Sequence, residues 1–232
     1  MHQMTRICFV RHGETDWNIE QRMQGHLDLA LNATGEAQAA AVGGYFVGRQ
    51  ADALYSSDLV RARQTAQPIA QALGLALTLL PALRERHFGR CEGLTYDEVA
   101  ARYADDARAI ESRDPDYCAP QGGESRRQHE ARVLGCVARL LGDHLGQTIV
   151  VVTHGGVLDV IYRRALGLPS NAPRDYAIPN AGINWLTIDD EQWQIECWGE
   201  ENHLRPTGSR RSDEPALSDM KPHPANQTEK AS

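Results

Sequence analysis

Two places in the 232-residue sequence put an imidazole directly after a short apolar run and follow it at once with glycine. Ile7-Cys8-Phe9-Val10 leads into Arg11-His12-Gly13-Glu14-Thr15, and Ile149-Val150-Val151-Val152 leads into Thr153-His154-Gly155-Gly156. A short apolar run of this kind is the pattern of a strand buried on both faces of a parallel sheet. Ligands of open α/β sheets bind at the carboxyl ends of such strands, so both histidines are expected in one crevice, beside glycines where the chain turns sharply. A third run, Ala53-Leu54-Tyr55, passes through Ser56-Ser57-Asp58 into a helix bearing Arg61 in its first turn, at the positive end of that helix. Two imidazoles, two guanidiniums and helix N–H groups suit a tetrahedral oxyanion, because a guanidinium forks onto two phosphate oxygens as an ammonium does not. Singly, each residue has an ordinary reading: a structural His-Gly, a capping or snorkelling Arg11, an exposed helix charge at Arg61. Their joint placement at three strand ends points to a phosphate site. A metal site competes for the histidines, but H-E-x-x-H or equivalent ligand spacing is missing, and adjacent guanidiniums would repel a divalent cation.

The elements that must position these residues alternate between strand and helix. Thr34 is a plausible N-cap for a helix from Glu36 to Val47 that stops at Gly48. A second helix is expected from about Asp58 to Leu73, stopped by Gly74, and then a strand from Leu75 to Leu80. Thr95-x-x-Glu98 and Ser125-x-x-Gln128 read as capping boxes that open helices near 96–104 and 126–144. Within the latter, Val133, Val137, Leu140 and Leu141 follow the spacing of a buried stripe. Thr148–Val152 is the most β-branched strand, with a helix from about Val157 to Leu166 behind it, and Ile183–Ile188 and Gln192–Cys197 form a closing pair. This alternation predicts the α/β class: a three-layer α/β/α sandwich with a mostly parallel central sheet. Residues 84–124 are polar, acidic and weakly periodic, and read as a lid insertion at about 90–124. From Arg205 onward there are four prolines and no aromatic residue, so 205–232 reads as a disordered tail and 1–204 as one domain.

Four blocks together resemble the histidine phosphatase superfamily, in its phosphoglycerate-mutase-like branch. They are Arg11-His12-Gly13-Glu14-Thr15 with Asn18, Ser56-Ser57-Asp58 through Arg61-Ala62-Arg63-Gln64-Thr65-Ala66, Leu83-Arg84-Glu85-Arg86-His87-Phe88-Gly89, and Thr153-His154-Gly155-Gly156. The resemblance implies that His12 is the nucleophile and forms a phosphohistidine. It implies that Arg11, Arg61 and His154 bind the phosphoryl oxygens with Asn18 nearby, His154 as an imidazolium. Gln24, Gly25, Arg63 and Gly155 match positions at the substrate pocket, and Glu85 is implied as proton donor to the leaving oxygen and then as base toward water. By spacing alone Glu14 and Glu92 compete with Glu85 for that role. His87 reads as structural or pocket-lining, and His26, His129 and His144 as ordinary surface or helix residues.

Composition narrows the function. Lys+Arg number 24 against 31 Asp+Glu, a net charge of −7, which argues against a general nucleic-acid or anionic-membrane binder. No apolar run reaches the roughly 18 residues of a membrane helix. The N-terminus resembles no signal peptide, and five scattered cysteines without a C-x-x-C pair fit a reduced compartment, so a cytoplasmic protein is expected. Neither a metal nor another cofactor is expected, and the partner is a small phosphorylated metabolite. Trp185, Trp193 and Trp198 could serve either the core or a homodimer contact.

The expected activity is a phosphatase. The alternative is a cofactor-dependent phosphoglycerate mutase primed by 2,3-bisphosphoglycerate. Cys91–Pro120 has no Lys, three Arg (Arg102, Arg108, Arg113) and eight acids, so this lid is expected to repel a second phosphate or carboxylate, which favours the phosphatase. Arg126-Arg127 are expected to be mostly solvent-exposed. A non-catalytic phosphate sensor would have lost His12, His154 or Glu85, and all three are present.

Overall fold

Four apolar runs form the parallel part of a six-stranded sheet. The computed structural model describes residues 4–189 and 192–205, so the tail expected at 205–232 lies, apart from Arg205, outside the described residues. In chain order the elements are β1 (Thr5–Arg11), the one-turn α1 (Asp16–Ile19), α2 (Ala33–Phe46), β2 (Ala53–Ser56), α3 (Val60–Leu73) and β3 (Leu77–Leu79). There follow α4 (Tyr96–Arg102), α5 (Ala104–Glu111), α6 (Arg126–Asp143), β4 (Thr148–Thr153), α7 (Gly155–Leu166), β5 (Ile183–Ile188) and β6 (Trp193–Glu200). The strand order is β3-β2-β4-β1-β5-β6. β3, β2, β4 and β1 are parallel, while β5 and β6 add an antiparallel edge.

Side chains alternate across the sheet and separate the two cores. Ile7, Phe9, Ile149 and Val151 pack with α6 and α7, through Val133, Val137, Leu158 and Ile161. Cys8, Val10, Val150 and Val152 pack with α2 and α3, through Val42, Phe46, Ala66 and Ile69. Ile7–Val10 and Ile149–Val152 are therefore apolar at every position, and each such Val, Ile or Phe contributes about 1.5–3 kcal/mol of burial. The result is the three-layer α/β/α sandwich expected from the sequence. Trp185 is buried, and Trp193 and Trp198 are packed in part against the core.

Local chemistry shifts some boundaries. α2 begins at Ala33 because Asn32, rather than Thr34, is its N-cap: the Asn32 side chain accepts a hydrogen bond from Gly35 N at 2.8 Å. α3 begins at Val60 because Asp58 is committed to an ion pair with Arg84, and the Val60 N–H donates to Asp28 instead, 2.6 Å away. β3 is shorter than expected, an edge strand of three residues. The capping boxes at Thr95 and Ser125 form as their spacing predicts. The stretch expected as a lid has a small core of its own, in which Cys91, Val99, Ala107 and Ala119 gather Phe88 and Tyr103 around them.

The glycines after the two histidines do not mark left-handed turns, since neither Gly13 nor Gly155 has a positive φ. At Gly13 the reason for glycine is a close approach of backbones. A Cβ there would lie 2.6 Å from the Gly35 carbonyl oxygen, and a Cβ on Gly35 would lie 2.1 Å from the Glu14 oxygen. The start of α2 thus presses on the chain as it leaves β1, and Asn32 seals the contact by donating its amide to the Glu14 carboxylate at 3.0 Å. Gly35→Ala puts a methyl group against backbone that has no room to yield. It is expected to lower stability by about 1–3 kcal/mol in urea denaturation.

Candidate active site

Adjacent parallel strands carry the site. Arg11 ends β1 and His12 follows it, Ser57 follows β2, and His154 follows β4 as the N-cap of α7. The ladder continues past the strand ends, with His12 N donating to Thr153 O and Ser57 N to Val152 O, each at 2.9 Å. Arg61 reaches the same edge from the first turn of α3. The His12 and His154 rings lie 5.1 Å apart between centroids.

His12 is buried, and its Nδ1 lies 2.7 Å from Gly13 O. A carbonyl only accepts, so Nδ1 carries the proton and Nε2 the lone pair. Burial, then the Arg61 and Arg11 charges, hold its pKa well below the ordinary imidazole value of 6.5. The backbone around it is clamped. Asn180 Nδ2 donates to His12 O at 3.0 Å, and Ala181 N lies 3.1 Å from Arg11 O and 3.2 Å from His12 O, with Ala181 itself at φ 57°. Gly13 N donates to Thr65 Oγ1 at 2.9 Å.

His154 departs from the expected imidazolium. Burial, then Arg61, His12 and Arg11, hold its pKa well below 6.5, so it is neutral. Ser57 Oγ accepts from Leu59 N and lies 2.8 Å from His154 Nε2, which fixes the orientation of the ring. Its Nδ1 has no partner among the described residues.

The two arginines are held by carbonyls rather than carboxylates. Arg61, wholly buried, donates to Leu27 O and Gly25 O, both at 2.8 Å. Arg11 donates to Ile178 O at 2.5 Å. The Nε atoms of both lack a partner among the described residues. Burial lowers each pKa to about 10, and both therefore stay charged at neutral pH, as concentrated positive potential beside two neutral rings.

Glu85 lies opposite. Its carboxylate accepts from Arg86 N and Gly156 N, each at 2.8 Å. Arg132 fixes the backbone of this loop, donating to Ala82 O, Arg84 O and Glu85 O while paired with Glu124. His26 Nε2 donates to Glu85 O at 2.8 Å. The rival carboxylates are engaged elsewhere: Glu14 with Asn32, and Glu92 with the N–H groups of His26 and Phe88.

Two connected hollows share Arg11, Glu85 and Phe88 in their walls. A pit of about 180 Å³ is lined by His12, Asn18, Gln24 and Arg61 as well. A chamber of about 580 Å³ adds Arg86, Arg113, Arg126, His129 and Gly155. The geometry joins His12, Arg11, Arg61, Glu85, Asn18 and Gln24, with His154 tilted against His12 and Gly155 in the outer chamber. Gly25 serves through its carbonyl on Arg61. Arg63 is exposed and lines neither hollow, because residues two apart on a helix lie on different faces.

Several expectations are corrected. His129 is buried and lines the chamber, and His26 is packed edge-on against His87 beside Glu85. The lid acids do not line the chamber. Glu98 pairs with Arg22, Asp106 with Arg90 and Asp116 with Arg127, while Arg113 and Arg126 do line it. The charge argument against a second anion therefore fails. Ser57, Asn180 and Arg132 are site residues that the sequence pattern did not single out. Among the described residues no three His, Cys, Asp or Glu gather as metal ligands, and no helix is long and apolar enough to cross a membrane.

Residues 7–201 match the histidine phosphatase superfamily (branch 1), and the chain belongs to that family. It is an enzyme of the phosphatase kind, a phosphomonoester hydrolase working through a phosphohistidine. Among its relatives, phosphoglycerate mutase-like protein 4 of Arabidopsis thaliana is 41% identical over 209 residues, 89% of this chain and 90% of that one. A metal-independent phosphoserine phosphatase of the same plant is 36% identical over 208 residues, 89% and 86% of the two chains. The solved structure of a mycobacterial glucosyl-3-phosphoglycerate phosphatase is 32% identical, with a TM-score of 0.75 over 85% of this chain and 100% of that one.

Two predictions follow from this geometry. His12, His154 and His129 are all buried with lowered pKa values. Below the unfolded value of 6.5 the unfolded chain binds protons that the folded chain does not, so stability is lost on acidification, by up to ~1.4 kcal/mol per histidine per pH unit. The thermal midpoint is expected to fall from pH 6.5 to pH 5, less steeply in His129→Gln. The second concerns Gly156, where a Cβ would lie 2.0 Å from Glu85 Oε1. That carboxylate can swing aside, so Gly156→Ala is expected to keep its urea midpoint while turnover drops about 10²-fold.

Proposed function

We propose that His12 Nε2 takes the phosphoryl group from the ester of a small phosphorylated metabolite and passes it to water. The observation that carries this reading is the bond from His12 Nδ1 to Gly13 O, which presents a fixed lone pair inside a cationic pit. An imidazole attacks phosphorus only when neutral, and burial with two guanidiniums keeps His12 so. Arg11 and Arg61, with the His154 ring, meet the equatorial oxygens, where charge concentrates in phosphoryl transfer. Because those donors are set before the ester arrives, little reorganisation is needed at the transition state.

Glu85 stands between the pit and the chamber, where the leaving oxygen of an ester seated on His12 would lie. In its acid form it would hand that oxygen a proton, and as carboxylate it would then take one from water attacking the phosphohistidine. Asn18 and Gln24 complete the pit, and residues of about 90–124 act as its lid over a catalytic domain of residues 1–204. Likeness to a phosphoserine phosphatase and a glucosyl-3-phosphoglycerate phosphatase supports esters of acidic alcohols as substrates. The same likeness favours water over a second metabolite as acceptor, and so the phosphatase over the mutase.

Replacement of Glu85 separates the two steps. A p-nitrophenyl leaving group needs no proton, whereas an alkoxide does, so Glu85→Gln should slow alkyl phosphates by about 10²–10⁴-fold. With p-nitrophenyl phosphate it should give a burst of nitrophenol and an acid-labile, alkali-stable phosphoenzyme that His12→Ala does not form. Absence of the phosphoenzyme in both, under rapid quench, would remove His12 as nucleophile.

A further inference from the structure

One nitrogen atom ties the backbone of the nucleophile to an amide in the wall of the pit. Asn180 Nδ2 lies 3.0 Å from His12 O, 3.3 Å from Gly13 O and 3.3 Å from Asn18 Oδ1. Backbone carbonyls only accept, so the Asn180 amide must turn its nitrogen toward them. The same reasoning orients Asn18. The Thr15 N–H, which only donates, lies 3.0 Å from Asn18 Oδ1, and the Thr15 hydroxyl donates to that oxygen at the same distance. With Thr15 and Asn180 both donating to Oδ1, the Asn18 Nδ2 is left for the pit, which Asn18 lines. That nitrogen makes no hydrogen bond to the described residues. A flipped Asn18 would turn oxygen toward an anion and set its own N–H groups against those of Thr15 and Asn180.

Asn18 depends on outside support for this orientation. It stands on α1, a single turn of four residues, and a helix that short does not hold itself in water. Thr15 is the N-cap of the same turn, so its bonds move with the turn. Among the described residues, Asn180 is the one residue beyond that turn and its cap that bonds the Asn18 side chain. The nucleophile is not dependent in this way. His12 N donates to Thr153 O, and His12 O is met by Ala181 N as well as by Asn180. Asn180 itself is placed firmly. The turn after it closes from Gly182 N to Pro179 O at 3.1 Å, and Ala181 takes its left-handed φ of 57° within that turn. A residue with a Cβ seldom adopts that conformation, and it persists where the surroundings demand it.

We infer that Asn180 is a positioning residue for phosphoryl transfer: anchored on the His12 and Gly13 carbonyls, it holds the Asn18 amide with its N–H groups toward the phosphoryl oxygens. This rests on His12 and the pit as the place of reaction. In an in-line displacement the donors to the equatorial oxygens must keep their place relative to the attacking nitrogen. Gly13 O, which also receives His12 Nδ1–H, is one of the two carbonyls on which Asn180 rests, so the amide is registered to the nucleophile itself. An Asn18 released from Asn180 leaves one equatorial oxygen unmet for part of the time, which costs more at the transition state than in the ground state. The loss is therefore expected in kcat more than in KM.

The test is a cycle of four full-length chains acting on p-nitrophenyl phosphate: unmodified, Asn18→Ala, Asn180→Leu and Asn18→Ala/Asn180→Leu. Leucine keeps a branched side chain of similar reach and removes the donors. Asn18→Ala is expected to lower kcat by about 10²-fold, as loss of one preorganised donor does, and Asn180→Leu by about 10-fold. The double variant is expected within about 2-fold of Asn18→Ala, because Asn180 has nothing left to hold. Losses that multiply in the double variant overturn the inference, as does an Asn180→Leu chain as fast as the unmodified one. Should Asn180→Leu lose the native urea midpoint, Asn180→Ala takes its place in the cycle. A second readout needs no turnover. Inorganic phosphate added to chains with isotope-labelled asparagine is expected to shift the Asn18 side-chain amide resonances, identified by their absence from Asn18→Ala. In Asn180→Leu that shift at saturation should shrink by about half or more, and an undiminished shift overturns the inference. An unmodified chain that hydrolyses no ester would sink the catalytic reading, and the phosphate titration would then decide the role of Asn180 alone.

Discussion

The pairing of β1 with β4 sets Arg11 opposite Thr153, and the placement of every reacting group depends on that register. Because side chains alternate along a strand, a slip of one residue would turn Ile7 and Phe9 toward α2 and α3 and rotate the strand exits with them. The two cores therefore act as a gauge: only one register satisfies both, and in that register His12 and His154 leave neighbouring strands on the same side. β2 on the far flank of β4 delivers Ser57 to the second ring, and α3 brings Arg61 in behind it. A site that needs sub-ångström agreement among four side chains is thus built from a large packing energy that has no chemistry in it.

Within that frame the electrostatics are unusual for a protein interior. Buried charges ordinarily find an opposite charge, yet Arg11 and Arg61 are held by carbonyl oxygens, which orient a guanidinium without cancelling it. Carboxylate partners would have made the fold easier to form and the site less able to take an anion. Burial and then the same uncancelled charge hold both imidazole pKa values down, so the nucleophile's lone pair and the affinity for phosphoryl oxygens share part of their cause. Glu85 is the exception, and it is pinned by two N–H groups and an arginine-stapled loop at the boundary between pit and chamber.

Much of this was legible in sequence where the determinants are local. Apolar runs ending in His-Gly, the capping boxes at Thr95 and Ser125, and the position of Arg61 in a first turn each depend on a few consecutive residues. What failed to show depends on contacts across the chain. Asn32 displaced Thr34 as a cap because it also binds Glu14, and the helix expected from Asp58 starts later because Asp58 pairs with Arg84. The lid looked repulsive because its acids were counted without their partners, and arginines 22, 90 and 127 take up three of them. His129 carried no signal at all, since a histidine in an amphipathic helix reads alike whether it meets solvent or a cavity. Gly13 was marked correctly for the wrong reason, because the approach of Gly35 is a long-range contact.

The segment between α7 and β5 ties two jobs together. Arg174 and Ile178 stand in the wall of the outer chamber, while Asn180 and Ala181, a few residues on, grip the backbone of the nucleophile. Change on that side of the chamber is therefore constrained, for a substitution that reshapes the wall also disturbs the clamp. The opposite wall is freer. Arg113 and Arg126 belong to segments that make no hydrogen bond to Arg11, His12 or Gly13 among the described residues. Descendants of this chain could exchange one leaving group for another through the segment that carries Arg113 and the start of α6 while the reacting end stays as it is, so that inheritance of the chemistry and drift of the specificity are assigned to different faces of one cavity.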